Sequence, residues 1–146
     1  MNGLLFIGLG LDDEGGLSLR GLSQAKKSDV VFVELYSSLM PHLSVDRLKD
    51  LVGKEIHQLS RTDIEERADE LILDLAKSKR VALLIPGDPM VATTHVSLRI
   101  QAEERGIRTR VFHAASVASA AAGATGLESY KFSRTITVPI AEPGRN

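Results

Sequence analysis

Residues 81–95 read VALLIPGDPMVATTH, and the predicted fold is arranged around this stretch. The apolar run Val81 to Ile85 has the length of a buried strand, and it ends at Pro86-Gly87-Asp88-Pro89. Because proline fixes φ and glycine accepts positive φ, this corner holds one shape with little side-chain bulk. Ligands of open α/β sheets bind at the carboxyl ends of parallel strands. The corner is therefore a candidate ligand site.

A purely structural role fits the same corner. Pro86-Gly87 suits a type II turn. Asp88 suits a helix N-cap and Pro89 the first helical position, which predicts a helix over Val91–Arg105 closed by Gly106. On spacing alone, capping and turn formation are favoured over ligand binding.

Further apolar runs alternate with helical patterns along the whole chain. The other predicted strands are Leu4–Ile7, Val30–Val33, Glu55–Leu59 and Thr109–Phe112, with a further one at Thr135–Val138. The other predicted helices run from Ser18 to Lys27, from Val45 to Leu51 with Ser44 as cap, from a capping box at Thr62–Glu65 to Ser78, and from Val117 to Gly123 with Ser116 as cap. This alternation predicts a mainly parallel five-stranded α/β sheet with helices on both faces.

The composition restricts the class of protein. The chain has 146 residues, 43% of them hydrophobic and 25% charged, which is typical of one globular domain. A net charge of −1 argues against nucleic-acid or anionic-membrane partners. The sequence contains no cysteine, which excludes disulfides and thiolate chemistry and suits a reducing cytoplasm. No apolar run approaches the ~20 residues of a membrane span.

The glycines after the first strand resemble a dinucleotide fingerprint only in part. Gly8-Leu9-Gly10 would need a third glycine at position 13, where the chain has Asp13. Asp12 and Asp13 would also oppose a pyrophosphate at this helix entrance. The glycine turn therefore favours a neutral or cationic ligand without phosphate, and a sulfonium cofactor suits it best.

Three titratable residues have no assigned chemistry. Glu34 ends the second strand, where it either binds a ribose or is the first solvated residue, and the second interpretation is favoured. His95 and His113 have no partner at metal-ligand spacing, so no metal site is predicted. No Ser-His-Asp or paired-carboxylate pattern is present, and the catalytic residues stay unassigned.

Motifs along nearly the whole chain carry a resemblance to one family. They are FIGLGL at 6–11, SDVVFVELY at 28–36, GKEI at 53–56, LSR at 59–61, PGDPMVATTH at 86–95, GL at 126–127 and YKF at 130–132. The chain resembles the diphthine synthases within the tetrapyrrole methylase family of class III methyltransferases. The PGDP motif is shared by the wider family, whereas its continuation to His95 is specific to the diphthine synthases.

The resemblance implies a function. It is methyl transfer from S-adenosyl-L-methionine, the expected cofactor, to the amino group of a modified histidine on translation elongation factor 2. This is a step of diphthamide biosynthesis, and archaeal-type members add three methyl groups. Elongation factor 2 is the expected partner, and a cytoplasmic homodimer the expected state. Family cofactor contacts match the following residues here: Leu11, Asp88, Val91, Ser116 and Val117.

The resemblance also implies an incomplete protein. Residues 1–138 match the N-terminal α/β domain of the family, and residues 139–146 match the start of its interdomain linker. The second domain is missing, so we expect the chain alone to be nearly inactive. Ala115 stands where the family commonly has proline. The alternatives are a non-catalytic nucleotide-binding or dimerisation module and a methylase that acts on tetrapyrroles.

Overall fold

The computed structural model describes residues 2–91 and 93–136, within which strands alternate with helices. The strands are β1 (Gly3–Gly8), β2 (Val30–Glu34), β3 (His57–Leu59), β4 (Arg80–Ile85) and β5 (Thr109–Phe112). The α-helices are α1 (Leu19–Lys26), α2 (Val45–Val52), α3 (Arg61–Glu65), α4 (Asp74–Ser78), α5 (His95–Glu104) and α6 (Val117–Thr125). Short 3₁₀ turns at Glu14–Gly16 and Ser129–Lys131 and a π-helical turn at Asp69–Leu73 complete this part of the chain.

The five strands form one parallel sheet in the order β3-β2-β4-β1-β5, which confirms the predicted fold class. The chain leaves β1 toward β2 on one side and leaves β4 toward β5 on the other. The neighbouring strands β1 and β4 therefore form a topological switch point, where the connecting loops diverge and leave a crevice.

Helices cover both faces of the sheet. Along β1, Leu4 and Phe6 belong to one buried cluster and Leu5 and Ile7 to the other, because successive strand residues point to opposite faces. Residues of α3, α4 and α5 fill the first cluster, and residues of α1 and α2 fill the second. Because both faces are covered, β1 and β4 are apolar except for Arg80 at the start of β4, as is typical of central parallel strands.

Most predicted helix ends are confirmed by their hydrogen bonds. Ser18, Ser44 and Ser116 each accept a hydrogen bond from a backbone amide of the first turn. Gly53 closes α2 in the left-handed conformation. The helix after Ser116 is slightly longer than predicted and ends at Thr125.

The helix between β3 and β4 was predicted wrongly. Its capping box is Ser60 with Asp63, two residues before the predicted start at Thr62. The Ser60 hydroxyl accepts from the Asp63 amide at 3.2 Å, and the Asp63 carboxylate accepts from the Ser60 amide at 2.9 Å. The helix is also interrupted after Glu65, and α4 begins only after the π-helical turn.

The helix after Pro-Gly-Asp-Pro begins at His95 and not at Val91, so the prediction of Asp88 as its N-cap was wrong. The Asp88 carboxylate instead forms a local turn with the Met90 amide and reaches across to the loop after β5. Thr135 and Ile136 lie in no strand, and the rest of the predicted last strand and the predicted boundary at 138/139 lie outside the described residues. Within the described ranges, no helix is long and apolar enough to cross a membrane.

Candidate functional site

Two loops at the switch point are joined through their backbones. The Gly10 amide donates to the Gly87 carbonyl at 3.2 Å, and the Gly87 amide donates to the Gly10 carbonyl at 2.8 Å. Both residues have positive φ, 78° and 66°, which favours glycine at each position. The loops after β1 and β4 therefore form one unit at the centre of the sheet edge.

Gly8 lies where this unit meets the loop after β5. A Cβ at Gly8 would stand 2.6 Å from the Gly87 carbonyl oxygen, 2.7 Å from the Ala114 Cβ and 3.0 Å from the Pro89 Cδ. Two loops, those after β4 and β5, therefore pack against one position at the end of β1 that has no side chain.

Gly8→Ala is expected to lower the free energy of unfolding by about 2 kcal/mol, because the methyl group overpacks a junction whose nearest neighbour is backbone. Gly123→Ala is the matched control, since a Cβ at this helical position meets nothing within 4 Å. The control is expected to raise stability by up to about 1 kcal/mol. Urea unfolding of both variants measures the difference, and equal effects would contradict the packing argument.

A cavity of about 120 Å³ opens beside this junction. Its lining residues are Leu11, Ser37, Ser38, Pro86, Gly87, Asp88, Val91, Thr93, Ser116 and Val117. All five residues matched to family cofactor contacts are among them. The structure thus brings together side chains that the sequence separates by up to 106 positions, from Leu11 to Val117.

Asp88 is the buried carboxylate of this cavity, with 7% of its surface exposed. Its Oδ1 accepts from the Met90 amide at 3.0 Å. Its Oδ2 faces His113 Nδ1 at 2.8 Å and accepts from the Ala114 amide at 3.3 Å. Asp88 therefore ties the loop after β4 to the loop after β5, a role that the sequence did not reveal.

The carboxylates after Gly10 do not line the cavity, which corrects the predicted acidic edge. Asp12 contacts His42 Nδ1 at 2.5 Å, and the Asp13 Oδ1 accepts from the Gly15 amide at 2.8 Å within its own turn. Glu14 forms an ion pair with Arg47 at 2.5 Å. Backbone hydrogen bonds and this arginine lower the pKa of Glu14. These acids organise their own loop, and they give no argument against a phosphate.

Three hydroxyl residues of the cavity wall were missed in the sequence. Ser37 and Ser38 follow the carboxyl end of β2, and Thr93 lies in the loop after β4. The rule that drew attention to Asp88 and Ser116 applies equally to the end of β2, since all carboxyl ends of a parallel sheet meet at one edge. The strand order, which places β2 beside β4, was the missing information.

Glu34 is fully buried, so the interpretation as a solvated residue was wrong. His95, equally buried, places its Nε2 3.5 Å from the Glu34 Oε1. Burial raises the pKa of Glu34 and lowers the pKa of His95 to about 4. Near neutral pH the imidazole is therefore uncharged. The described residues contain no group of three or more His, Asp or Glu side chains able to hold a metal ion.

The chain is similar to known proteins over most of its length. The family model of the tetrapyrrole (corrin/porphyrin) methylases matches residues 3–145. Diphthine synthase of Methanosarcina mazei is 47% identical over 142 residues, which are 97% of this chain and 53% of that protein. Diphthine synthase of Archaeoglobus fulgidus is 44% identical over 135 residues, or 92% of this chain and 53% of the relative.

A solved structure is similar in both sequence and fold. The crystal structure of a diphthine synthase superposes with a TM-score of 0.83 at 44% identity, covering 89% of this chain and 51% of that chain. The chain thus spans about half the length of the curated relatives that it matches.

Proposed function

Because the chain belongs to the tetrapyrrole methylase family, as its motifs predicted, we propose that it supplies one half of an S-adenosyl-L-methionine-dependent methyltransferase. The observation that carries the proposal is the convergence of Leu11, Asp88, Val91, Ser116 and Val117 on one cavity at the switch point. The acceptor would be the amino group of the modified histidine of elongation factor 2, in diphthamide biosynthesis. The high identity to the diphthine synthases supports this choice.

The cavity supports a half-site. At about 120 Å³ it is smaller than a complete ligand pocket, which has roughly 300–1,000 Å³. Two of the apolar side chains that line it are exposed to solvent, Val91 to 43% and Val117 to 65%. A second surface must cover these side chains to exclude water from the bound cofactor.

The residues present fit this cofactor. Leu11, Val91 and Val117 offer apolar contacts to an adenosine, and Asp88 brings a carboxylate suited to a cation. When bound, the sulfonium supplies an electrophilic methyl group. The chain needs to orient the donor, exclude water and hold the acceptor nitrogen in line, and such positioning can supply most of the acceleration.

The surface beyond β5 supports association with the other half of such an enzyme or with a second copy of this chain. α6 buries only Ala122 among its residues, and the segment after it is also exposed. The exposed apolar side chains of this surface are Val117, Leu127, Tyr130, Phe132 and Ile136. An apolar surface of this kind favours an interface. The proposed assembly is a homodimer in the cytoplasm, where elongation factor 2 acts.

A calorimetric titration with S-adenosyl-L-methionine tests the half-site. The 146-residue chain is compared with a chimera in which the second half of the Methanosarcina mazei relative continues the chain. We expect the chimera to bind at least about a hundredfold more tightly, since each ~1.4 kcal/mol of lost contact is tenfold in affinity. Micromolar binding and turnover by the chain alone would refute the half-site.

A methylation assay identifies the acceptor. The chimera is incubated with labelled donor and either elongation factor 2 that carries the unmethylated modified histidine or a precorrin. The intact Methanosarcina mazei protein is the positive control. We expect label only on the elongation factor. Label on the precorrin would instead favour a tetrapyrrole methylase, and label on neither would favour a non-catalytic module.

A further inference from the structure

The buried pair Glu34 and His95 lies next to the cavity without lining it. Both side chains are 0% exposed, and the two groups face each other at 3.5 Å. Tyr36 stacks beside the imidazole, with ring centroids 6.4 Å apart. Burying two titratable groups costs free energy unless their hydrogen bonds are satisfied. The groups that hydrogen-bond to Glu34 and His95 therefore indicate the role of the pair.

Glu34 holds the loop after β2 by its carboxylate. Its Oε2 accepts from the Tyr36 and Ser37 amides, each at 3.0 Å. Its Oε1 accepts from the Ser37 hydroxyl. The hydroxyl proton of Ser37 is thus directed into the protein, and its oxygen lone pairs are left for the cavity that Ser37 lines.

His95 holds Thr93 in a similar way. Its amide donates to the Thr93 Oγ1 at 3.0 Å, and its Nδ1 lies 2.6 Å from the same oxygen. The Nε2 makes no hydrogen bond among the described residues and faces the Glu34 Oε1 at 3.5 Å. Because that oxygen is an acceptor, we assign the ring proton to Nε2. The Thr93 hydroxyl also lies 3.3 Å from the Pro89 carbonyl oxygen, but Nδ1 is nearer at 2.6 Å, so with this tautomer Nδ1 accepts the hydroxyl proton and one lone pair stays on Oγ1.

Two hydroxyl oxygens in one cavity wall can therefore accept hydrogen bonds and have no proton to donate. Such a wall is unsuited to a carboxylate or phosphate, which needs donors, and suits a ligand with N–H groups. Both the donor, through its α-ammonium and adenine amino groups, and the acceptor amine carry such groups, and a measurement of donor affinity separates the two. The N–H groups of the acceptor amine would bind the wall while its lone pair points to the methyl carbon.

We propose that Ser37 and Thr93 form a subsite for the acceptor nitrogen and that Glu34 and His95 are its positioning residues. The inference rests on the proposed methyl transfer. In each transfer the nitrogen lone pair forms the C–N bond as the C–S bond breaks, and the bonding pair stays on sulfur as a thioether. In the first two transfers a proton then leaves nitrogen for solvent water, whereas the third gives a quaternary ammonium that has no proton to lose.

The subsite predicts an order among successive transfers. A neutral primary amine has two N–H groups, a monomethylated amine has one and a dimethylated amine has none. The wall can therefore orient the nitrogen in the first two transfers and not in the third.

The test measures each transfer separately in the chimera by mass spectrometry of elongation factor 2. Ser37→Ala and Thr93→Val are each expected to slow the first transfer about tenfold, because each removes one hydrogen bond to the transition state. The third transfer is expected to slow less than about threefold. Donor affinity should not change, and a weaker donor affinity would assign the wall to the donor and overturn the acceptor subsite. Glu34→Gln should reproduce the pattern, because it acts through Ser37. Ser38→Ala is the matched control, since Ser38 lines the cavity but contacts neither buried group within the described residues.

The outcomes separate this subsite from the proposed function. Equal slowing of all three transfers, or equal effects of Ser37→Ala and Ser38→Ala, would overturn the subsite while the unmutated chimera still methylates. An unmutated chimera without activity refutes the function, and the subsite with it. Nitrogen NMR of the 146-residue chain gives an independent readout. We expect a neutral His95 protonated at Nε2, and a proton on Nδ1 would overturn the role of Thr93.

Discussion

Asp88→Ala is expected to lower the free energy of unfolding by about 3 kcal/mol. The substitution strands the Met90 and Ala114 amides, which donate to this carboxylate, and each partly buried unsatisfied donor costs about 1–3 kcal/mol. It also frees His113 and so releases the loop after β5 from the loop after β4. Denaturant unfolding of the 146-residue chain measures the loss, and a change below about 0.5 kcal/mol, the scale of ordinary surface substitutions, would contradict this account of Asp88.

Loss of activity in Asp88→Ala cannot distinguish a cofactor contact from this structural role, and Asp88→Asn can. The amide keeps an acceptor for the Met90 N–H, so we expect a loss of only about 1 kcal/mol in stability. If the charge contacts the donor, the chimera with Asp88→Asn binds S-adenosyl-L-methionine at least about tenfold more weakly, or about 1.4 kcal/mol. Affinity equal to that of the unmutated chimera would show that Asp88 only connects the loops after β4 and β5.

Acidification is expected to remove about 3 kcal/mol of stability through His95. Burial lowers the pKa of its imidazole from 6.5 to about 4, so the unfolded chain takes up the proton first as the pH falls. The stabilisation is complete above pH 6.5 and is lost as the pH falls through about 4, at about 1.36 kcal/mol per pKa unit. The measurement is the free energy of unfolding from pH 7 to pH 4, compared with His95→Asn.

The carboxyl group of Glu34 changes the free energy of unfolding with pH in the opposite direction. Burial raises the pKa of Glu34 above 4.5, so its contribution falls as the pH rises above that value. Because Glu34 is present in both proteins, most of this effect cancels when His95→Asn is subtracted. We expect the difference between the two proteins to shrink by about 3 kcal/mol on acidification. A constant difference would show instead that the pair ionises together as His95⁺ and Glu34⁻.

The sheet could be predicted from the sequence because its strands are apolar on both faces. Runs such as Leu4–Ile7 and Val81–Ile85 fit a central parallel strand and little else. The helix starts could be predicted because Ser18, Ser44 and Ser116 cap them with their own side chains. Residues that make long-range contacts were predicted less well. Asp88 has the local chemistry of an N-cap, yet its partner His113 lies 25 residues away.

The site was predicted in part. The five expected cofactor contacts came from family motifs, and the structure gathers them around one cavity. Glu34 was misjudged because a charged residue at the end of an apolar run normally faces solvent. Its burial depends on His95, which lies 61 positions further along the chain, and on the β2–β4 pairing, which no local pattern reveals. The contradiction between residue type and burial is also the reason to assign Glu34 a role.

The double hydrogen bond between Gly10 and Gly87 has a dynamic consequence. Both amides belong to loops at the rim of a sheet, where exchange with deuterium is ordinarily fast. Here neither amide can exchange unless both loops separate, so the pair should be protected together and lose protection together. A cofactor would then bind to two loops that are already ordered. Its affinity would therefore not be reduced by the entropy cost of ordering them.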